Sequence, residues 1–433
     1  MWIRRLNLNE DEKRAFTLHT LYSTIEGVIL GVIALNEFVF LKSLGGSNYL
    51  MSILFTFSMF VYTFLIPFNE FLKRVMNRRR FLRKIGIYTR LPLLLLLLFP
   101  RSEAAMTGSG YFHYIFLAIF LIYYLGNPII HPTINFFLKS NYRHQNFGKL
   151  YSYSTSINKV ILLVTTFLYG LLLDFDNYAY VYVFPVVAVL GVVSVFLLSM
   201  IKYPDEIPEP AKKFGRSVKD SIRNMWVILK ENKAYRHFEI AFMLYGFAFM
   251  TTYTVINIFF YEQLNLNYTS VAFYRNSYNI LAIVLLPFMG PLLGKIDPRK
   301  FGLITFSSLI LYIFFLMLTE YFPWHFEMYN IQVYYLLIFY IIFHGVFAAT
   351  MVLLWNIGSA YFGPAQQAGT YQSIHLSLTG LRSIFSPLAG VFLYELYGFT
   401  VTFIIAMSSI LIGIGVLIWS YHREKRVEEE VIV

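Results

Sequence analysis

The chain has 433 residues, of which 58% are hydrophobic, 19% aromatic and 14% charged, with a net charge of +11 and no cysteine. The missing thiols exclude disulfides, thiolate metal sites and cysteine nucleophiles. Charges fall in short bursts between apolar runs of about twenty residues, the length that crosses a bilayer core as a helix, so an all-α membrane protein is expected.

Met1 to Arg14 is polar and mixed in charge, and the apolar run after it is too long for a cleavable leader. The first span is therefore read as its own targeting signal. Apolar runs bounded by charge or turn residues predict twelve transmembrane spans, over 16–41, 48–72, 85–100, 111–138, 152–173, 178–201, 237–261, 270–293, 302–321, 332–360, 371–396 and 399–421. With the N-terminus inside, the inner connections collect 29 of the 35 Lys and Arg residues, and the outer loops hold only Lys42 and Arg101. The other four, Arg90, Lys159, Arg275 and Arg382, fall within spans. By the positive-inside rule, both termini are expected in the cytoplasm, with the chain in the plasma (inner) membrane. The basic excess is thus a topology signal whose consequence is attraction to anionic lipid, and no nucleic-acid partner is expected.

One long connection divides the spans into six plus six, giving an N-terminal bundle over 1–202, a cytoplasmic linker over 203–235 and a C-terminal bundle over 236–433. Tyr203 to Pro210 carries three prolines and no apolar face, so it reads as extended. Val218, Ile222, Met225, Trp226 and Leu229 then repeat at helical spacing among charges, predicting an amphipathic helix on the membrane surface or against the bundle. The halves echo each other: Arg-Lys-Ile-Gly86 precedes span 3 and Arg-Lys-Phe-Gly302 precedes span 9, 216 residues later. Such duplication marks secondary transporters, in which two bundles rock about a midplane site.

The loop Gly290-Pro-Leu-Leu-Gly-Lys-Ile-Asp-Pro-Arg-Lys300 follows span 8, and the basic run Pro67-Phe-Asn-Glu-Phe-Leu-Lys-Arg-Val-Met-Asn-Arg-Arg-Arg80 follows span 2. With the six-plus-six pattern, these loops resemble the major facilitator superfamily, which places a Gly-rich acidic–basic motif in both positions. The resemblance implies two pseudo-symmetric six-helix bundles and a conformational latch made by Asp297, Arg299 and Lys300. The first-half loop keeps the basic cluster but lacks the usual Gly and Asp, leaving Glu70 as its acidic member. Span 11, Tyr371-Gln-Ser-Ile-His-Leu-Ser-Leu-Thr-Gly-Leu-Arg382 followed by Ser386-Pro-Leu-Ala-Gly390, is similar to the eleventh helix of bacterial members of unassigned substrate.

Ionisable groups at the bilayer centre cost about 2.5–3.5 kcal/mol on insertion scales and should face protein or water. Glu26 sits about 15 Å along span 1, with Glu37 on the same face nearer the outside. It is read as the only acidic residue deep in the membrane and the leading proton carrier. Lys159 in span 5 lies at similar depth, on a face with Ser152, Ser156 and Thr166. The resemblance makes spans 1 and 5 neighbours, so Glu26 and Lys159 are expected to meet, as a structural ion pair or as a proton switch. Tyr124, Asn127, His131 and Asn135 share one face of span 4, beside Pro128 and Pro132, which free carbonyls to line a cavity or simply bend the helix. Tyr253 and Asn257 share a face of span 7, and Arg275 and Asn279 a face of span 8. In span 10, His344 shares a face with Phe347, Met351 and Trp355, as a packed residue or a proton relay. His375, Thr379, Arg382 and Ser386 line one face of span 11. Arg382 there either grips an anionic solute or hydrogen-bonds broken-helix carbonyls. Arg90, in the short third span, is expected to snorkel to the inner surface.

No Gly-rich phosphate loop, metal-spaced His and Asp cluster or nucleophile elbow occurs in the sequence, so no enzyme, cofactor or metal is expected. The function expected is secondary active transport of a small organic solute by alternating access, proton-coupled and monomeric. Deep cations outnumber Glu26, which tilts the solute towards an anionic or amphipathic one. The Tyr and Phe content also suits a drug-efflux antiporter, and a lipid flippase shares the fold. A non-transporting receptor or assembly factor is the alternative of a different class; it would carry an added soluble domain, whereas only a short tail follows Tyr421.

Overall fold

The computed structural model describes residues 8–432 except 73, 76, 103–104, 107–109, 143, 203–212 and 364–366. The expected extended linker over Tyr203–Pro210 lies outside the described residues. In chain order the helices are α1 (Glu10–Ile33), α2 (Asn36–Lys42), α3 (Asn48–Phe60), α4 (Leu65–Leu72), α5 (Arg78–Arg90), α6 (Tyr111–Leu125), α7 (Asn127–Asn141), α8 (His144–Phe175) and α9 (Tyr180–Ser199). They continue as α10 (Phe214–Glu231), α11 (Lys233–Ile258), α12 (Tyr268–Leu293), α13 (Pro298–Tyr321), α14 (Tyr335–Ile357), α15 (Ala368–Ser383) and α16 (Ser386–Ile432). Helix starts follow local chemistry. Asn9 and Glu12 form a reciprocal capping box on α1 (Glu12 N to Asn9 Oδ1, 2.7 Å), while Asn232, Asn267 and Asp297 cap α11, α12 and α13.

Ten helical stretches among the described residues are long and apolar enough to cross a membrane. One of them, Thr370–Lys425, has 56 residues, far more than one bilayer crossing needs, and it turns at Gly398, whose φ of 78° only glycine adopts readily. It therefore holds two spans. The third expected span is not among the ten: α5 is strongly basic, and a 3₁₀ helix, Leu91–Leu98, continues it. Pro92 cannot donate to the helical ladder, which accounts for the change of winding there. With these two adjustments the helices are consistent with the twelve expected.

The helical expectation holds, with one short hairpin between α13 and α14. Residues 325–328 and 331–334 form an antiparallel hairpin, β1 and β2, with His325 opposite Tyr334 and a turn through Tyr329 and Asn330, both at positive φ. As a result α14 starts at Tyr335 rather than at 332.

The chain divides into two compact units, residues 1–50 with 67–217, and 51–66 with 218–433. The second unit therefore claims 51–66, which a continuous 1–202 bundle does not anticipate. Within that unit Phe55 stacks on Tyr253 at 4.6 Å, and Gly380 abuts the backbone of Thr63.

In the first unit α1 packs on α8 at close range. A Cβ on Gly27 would meet the Asn158 carbonyl at 2.7 Å, and one on Gly31 would meet the Thr165 side chain at 2.7 Å. Small residues four apart permit this approach, as in other membrane helix pairs. Asn158 Nδ2 donates to Ser23 O at 2.8 Å, and Thr166 Oγ1 donates to Gly31 O at 3.0 Å. In the second unit the main pairings are α11 with α16 and α14 with both α12 and α13. The amphipathic helix is present as α10. Its Ile222 and Trp226 are exposed and only Leu229 is buried, so its apolar face is not covered by protein among the described residues.

Candidate functional site

In the first unit Glu26 is buried on α1 and its Oε1 accepts from Ser194 Oγ on α9 at 2.6 Å. Arg90 and Tyr22 lie within electrostatic range of it. Lys159 does not meet Glu26, which corrects the expected pair. The α1-facing side of α8 carries Ser154, Asn158 and Thr166, and Lys159, one residue past Asn158, points away and is exposed. One helical residue is about 100° of rotation, enough to turn a neighbour off the interface.

Arg90 is the cation that enters this cluster instead. It is 2% exposed, donates from Nη1 to the Tyr123 carbonyl at 3.0 Å and lies over the Tyr123 ring at 3.9 Å. It does not snorkel. A Cβ on Gly191 of α9 would already touch its aliphatic stem at 3.0 Å, so the side chain is packed along its length. Tyr124 is buried beside Tyr123, and Asn127 is half-buried just past the break at Gly126 that separates α6 from α7. His131 and Asn135 lie on α7, with their side chains outside the described residues.

The second unit contains a buried carboxylate that the sequence reading missed. Glu239 on α11 is 3% exposed, and its two oxygens each lie 3.1 Å from His375 Nδ1 on α15. Glu26 is therefore not the only acidic residue buried on a helix long and apolar enough to cross a membrane. With span 7 drawn from 237, Glu239 fell at its edge; its signal was a lone acid inside Phe238-Glu-Ile-Ala-Phe242. Two turns beyond His375 on α15, Arg382 is 1% exposed, donates to the Phe242 carbonyl and lies over the Tyr245 ring at 5.6 Å. Its guanidinium occupies the space a side chain at Gly246 would need, so glycine there makes room for it. Arg382 Nε and Nη2, Tyr245 OH, Thr379 Oγ1 and His375 Nε2 are buried without a hydrogen-bond partner among the described residues. An unmatched buried donor or acceptor costs about 1–3 kcal/mol, so this set is poised to take polar groups from outside the chain.

Two more sequence-derived pairs come together in the same unit. Arg275 Nη2 donates to Asn257 Oδ1 at 2.7 Å and lies 5.8 Å from the Tyr253 ring, while Asn279 Nδ2 donates to the Arg275 carbonyl at 2.7 Å. His344 is stacked between Tyr278, at 3.7 Å and 9°, and Tyr312, at 4.4 Å and 13°. Both rings come from other helices, which the face shared with Phe347 on α14 could not indicate.

The acidic–basic loop is tied down within its own unit. Asp297 accepts from Arg299 backbone N at 2.7 Å and from its Nε and Nη2 at 3.0 and 2.8 Å. Arg299 Nη2 also pairs with Glu424 at 2.5 Å, and Lys300 lies 4.3 Å from the Tyr421 ring. In the first unit Arg74 pairs with Glu70 at 3.3 Å and donates to Ser217 Oγ at 2.9 Å.

No curated protein matches the sequence. Among solved structures, a point mutant of the nucleoside transporter NupG aligns over 95% of this chain and 100% of its own, at 12% identity and a TM-score of 0.68. A POT family transporter in complex with a thioalcohol-conjugated peptide aligns over 94% and 96%, at 14% identity and 0.66. The inward-open xylose transporter XylE from E. coli aligns over 92% and 94%, at 12% identity and 0.60. At these identities the likeness is one of fold. The family model described as Major Facilitator Superfamily matches residues 16–329, most of the chain. A helical membrane chain with that fold and that family match belongs to the major facilitator superfamily, and is an integral membrane secondary transporter rather than an enzyme.

Proposed function

We propose that the chain moves a small organic solute, anionic or amphipathic, by proton-coupled alternating access. Arg382 carries the solute reading. It is a fully buried cation with two guanidinium nitrogens unmatched among the described residues, beside Tyr245 and Thr379, whose hydroxyls are equally unmatched. A carboxylate or phosphate-like group would supply the missing acceptors bidentately. Asn257, Arg275, Asn279, Tyr253 and His344 then form the polar and aromatic wall that orients the rest of the solute.

Each unit also holds a buried carboxylate beside a basic group, Glu26 near Arg90 and Glu239 on His375. A carboxyl whose donors move between two states binds a proton in one and releases it in the other, which couples solute movement to a proton gradient. Asp297, Arg299 and Lys300 serve as the conformational latch. The distribution of basic residues supports a plasma (inner) membrane location with both termini cytoplasmic, and the protein works as a monomer.

The test is a thermal-shift screen of organic anions against purified wild type and Arg382→Gln, followed by proteoliposome uptake of each hit with and without an imposed pH gradient. Solutes that stabilise both proteins equally would remove Arg382 from the site. Uptake indifferent to the gradient would remove the proton.

A further inference from the structure

At the basic end of the second unit, the start of α11, the start of α13 and the end of α16 enclose a cavity of about 230 Å3 lined by Lys233, His237, Arg299, Ser420, Arg423 and Glu424. Ligand pockets for drug-sized solutes run to about 300–1,000 Å3, so this one suits a smaller group. Its charge is not balanced. Arg299 is occupied, by Glu424 at 2.5 Å, by Asp297 at 2.8 Å and by the Ser420 carbonyl at 3.2 Å. Glu424 is thereby neutralised within the wall. Lys233 and Arg423 have no acidic partner among the described residues, so two cations remain for an anion.

The depth of the cavity is marked by aromatics. Trp419 is half exposed and packs against His237, ring centroids 4.8 Å apart and tilted at 55°, while Arg423 lies over the same indole at 5.3 Å. Lys300 lies over Tyr421 beside it. Trp and Tyr collect at the headgroup level of a bilayer, and the basic face of a membrane protein meets the anionic leaflet. Lys233 and Ala234 also open α11, whose first-turn N–H groups favour negative charge.

We propose that this cavity binds a phosphate-bearing anion, supplied in the membrane by the headgroup of an anionic phospholipid. Phosphate oxygens reach Lys233 and Arg423 together, fastening the start of α11 to the end of α16. The inference rests on the membrane placement of these helices and stands apart from the transport reading.

The experiment uses the full-length protein in neutral detergent, with binding of short-chain phosphatidylglycerol, short-chain phosphatidylcholine and inorganic phosphate followed by thermal shift. Phosphatidylglycerol should stabilise wild type, and the Lys233→Gln/Arg423→Gln pair should weaken its binding roughly thirtyfold, at the usual contribution of one basic residue near a membrane surface. Lys219→Gln, which removes an exposed charge on α10, should bind as wild type. Should the double variant not fold, each single variant is expected to lose roughly fivefold. Stabilisation by inorganic phosphate as well, lost in the same variants, supports the phosphate site and assigns its source to a soluble anion. Equal stabilisation by phosphatidylcholine, or unchanged phosphatidylglycerol binding in the variants, overturns it.

Discussion

Both carboxylate oxygens of Glu239 lie 3.1 Å from Nδ1 of His375, and the two side chains are buried on helices 136 residues apart in sequence. Glu239 is 3% exposed and His375 1%, so each depends on the other. Removing one strands its partner.

His375→Ala should therefore destabilise the protein by about 3–5 kcal/mol, because a buried charge loses its partner. Glu239→Gln keeps an acceptor for Nδ1 and should cost less, about 1–2 kcal/mol. Denaturation in detergent measures both. Equal, small effects would show that the pair contributes nothing to folding.

Glu26→Gln should abolish uphill transport while leaving solute binding or downhill exchange measurable. Ser194 Oγ can still donate to the amide oxygen, so the fold should survive. Proteoliposome uptake against a gradient decides. Undiminished accumulation would make Glu26 a structural group.

Arg90 and Lys159 should behave oppositely. Arg90→Met removes a packed, hydrogen-bonded cation from beside Glu26 and should destabilise by about 3–5 kcal/mol. Lys159→Met changes a residue outside this cluster and should not destabilise the protein. Comparable losses in both would restore a role for Lys159 in the cluster.

Asp297→Asn should slow conformational exchange without unfolding, since Arg299 keeps Glu424 and Ser420 as partners. The absence of cysteine lets spin labels be placed on introduced pairs without background. Exchange at the wild-type rate would reduce Asp297 to a helix cap.

Reporter fusions after Asn141 and after Glu424 should report the cytoplasm, and one after Thr107 the exterior. An exterior signal at Glu424 would reverse the orientation argued from the basic loops.

Spans, the amphipathic helix and the acidic–basic loop could be read from the chain because hydropathy and charge are local properties, and the helix caps that the structure adds are local too. Asn9, Asn232, Asn267 and Asp297 each act on the next few backbone N–H groups and need no distant partner. The faces that meet were decided only in three dimensions. Lys159 and Asn158 are adjacent and equally polar, yet the approach of Gly27 and Gly31 to α8 selects Asn158 and turns Lys159 outwards. Arg90 looked like an interfacial cation until the Tyr123 carbonyl and ring enclosed it. Glu239 and His375, Arg275 and Asn257, and His344 between two tyrosines are all contacts between helices. A helical period gives the angle of a residue about its own axis; only packing against a second axis gives that angle a partner.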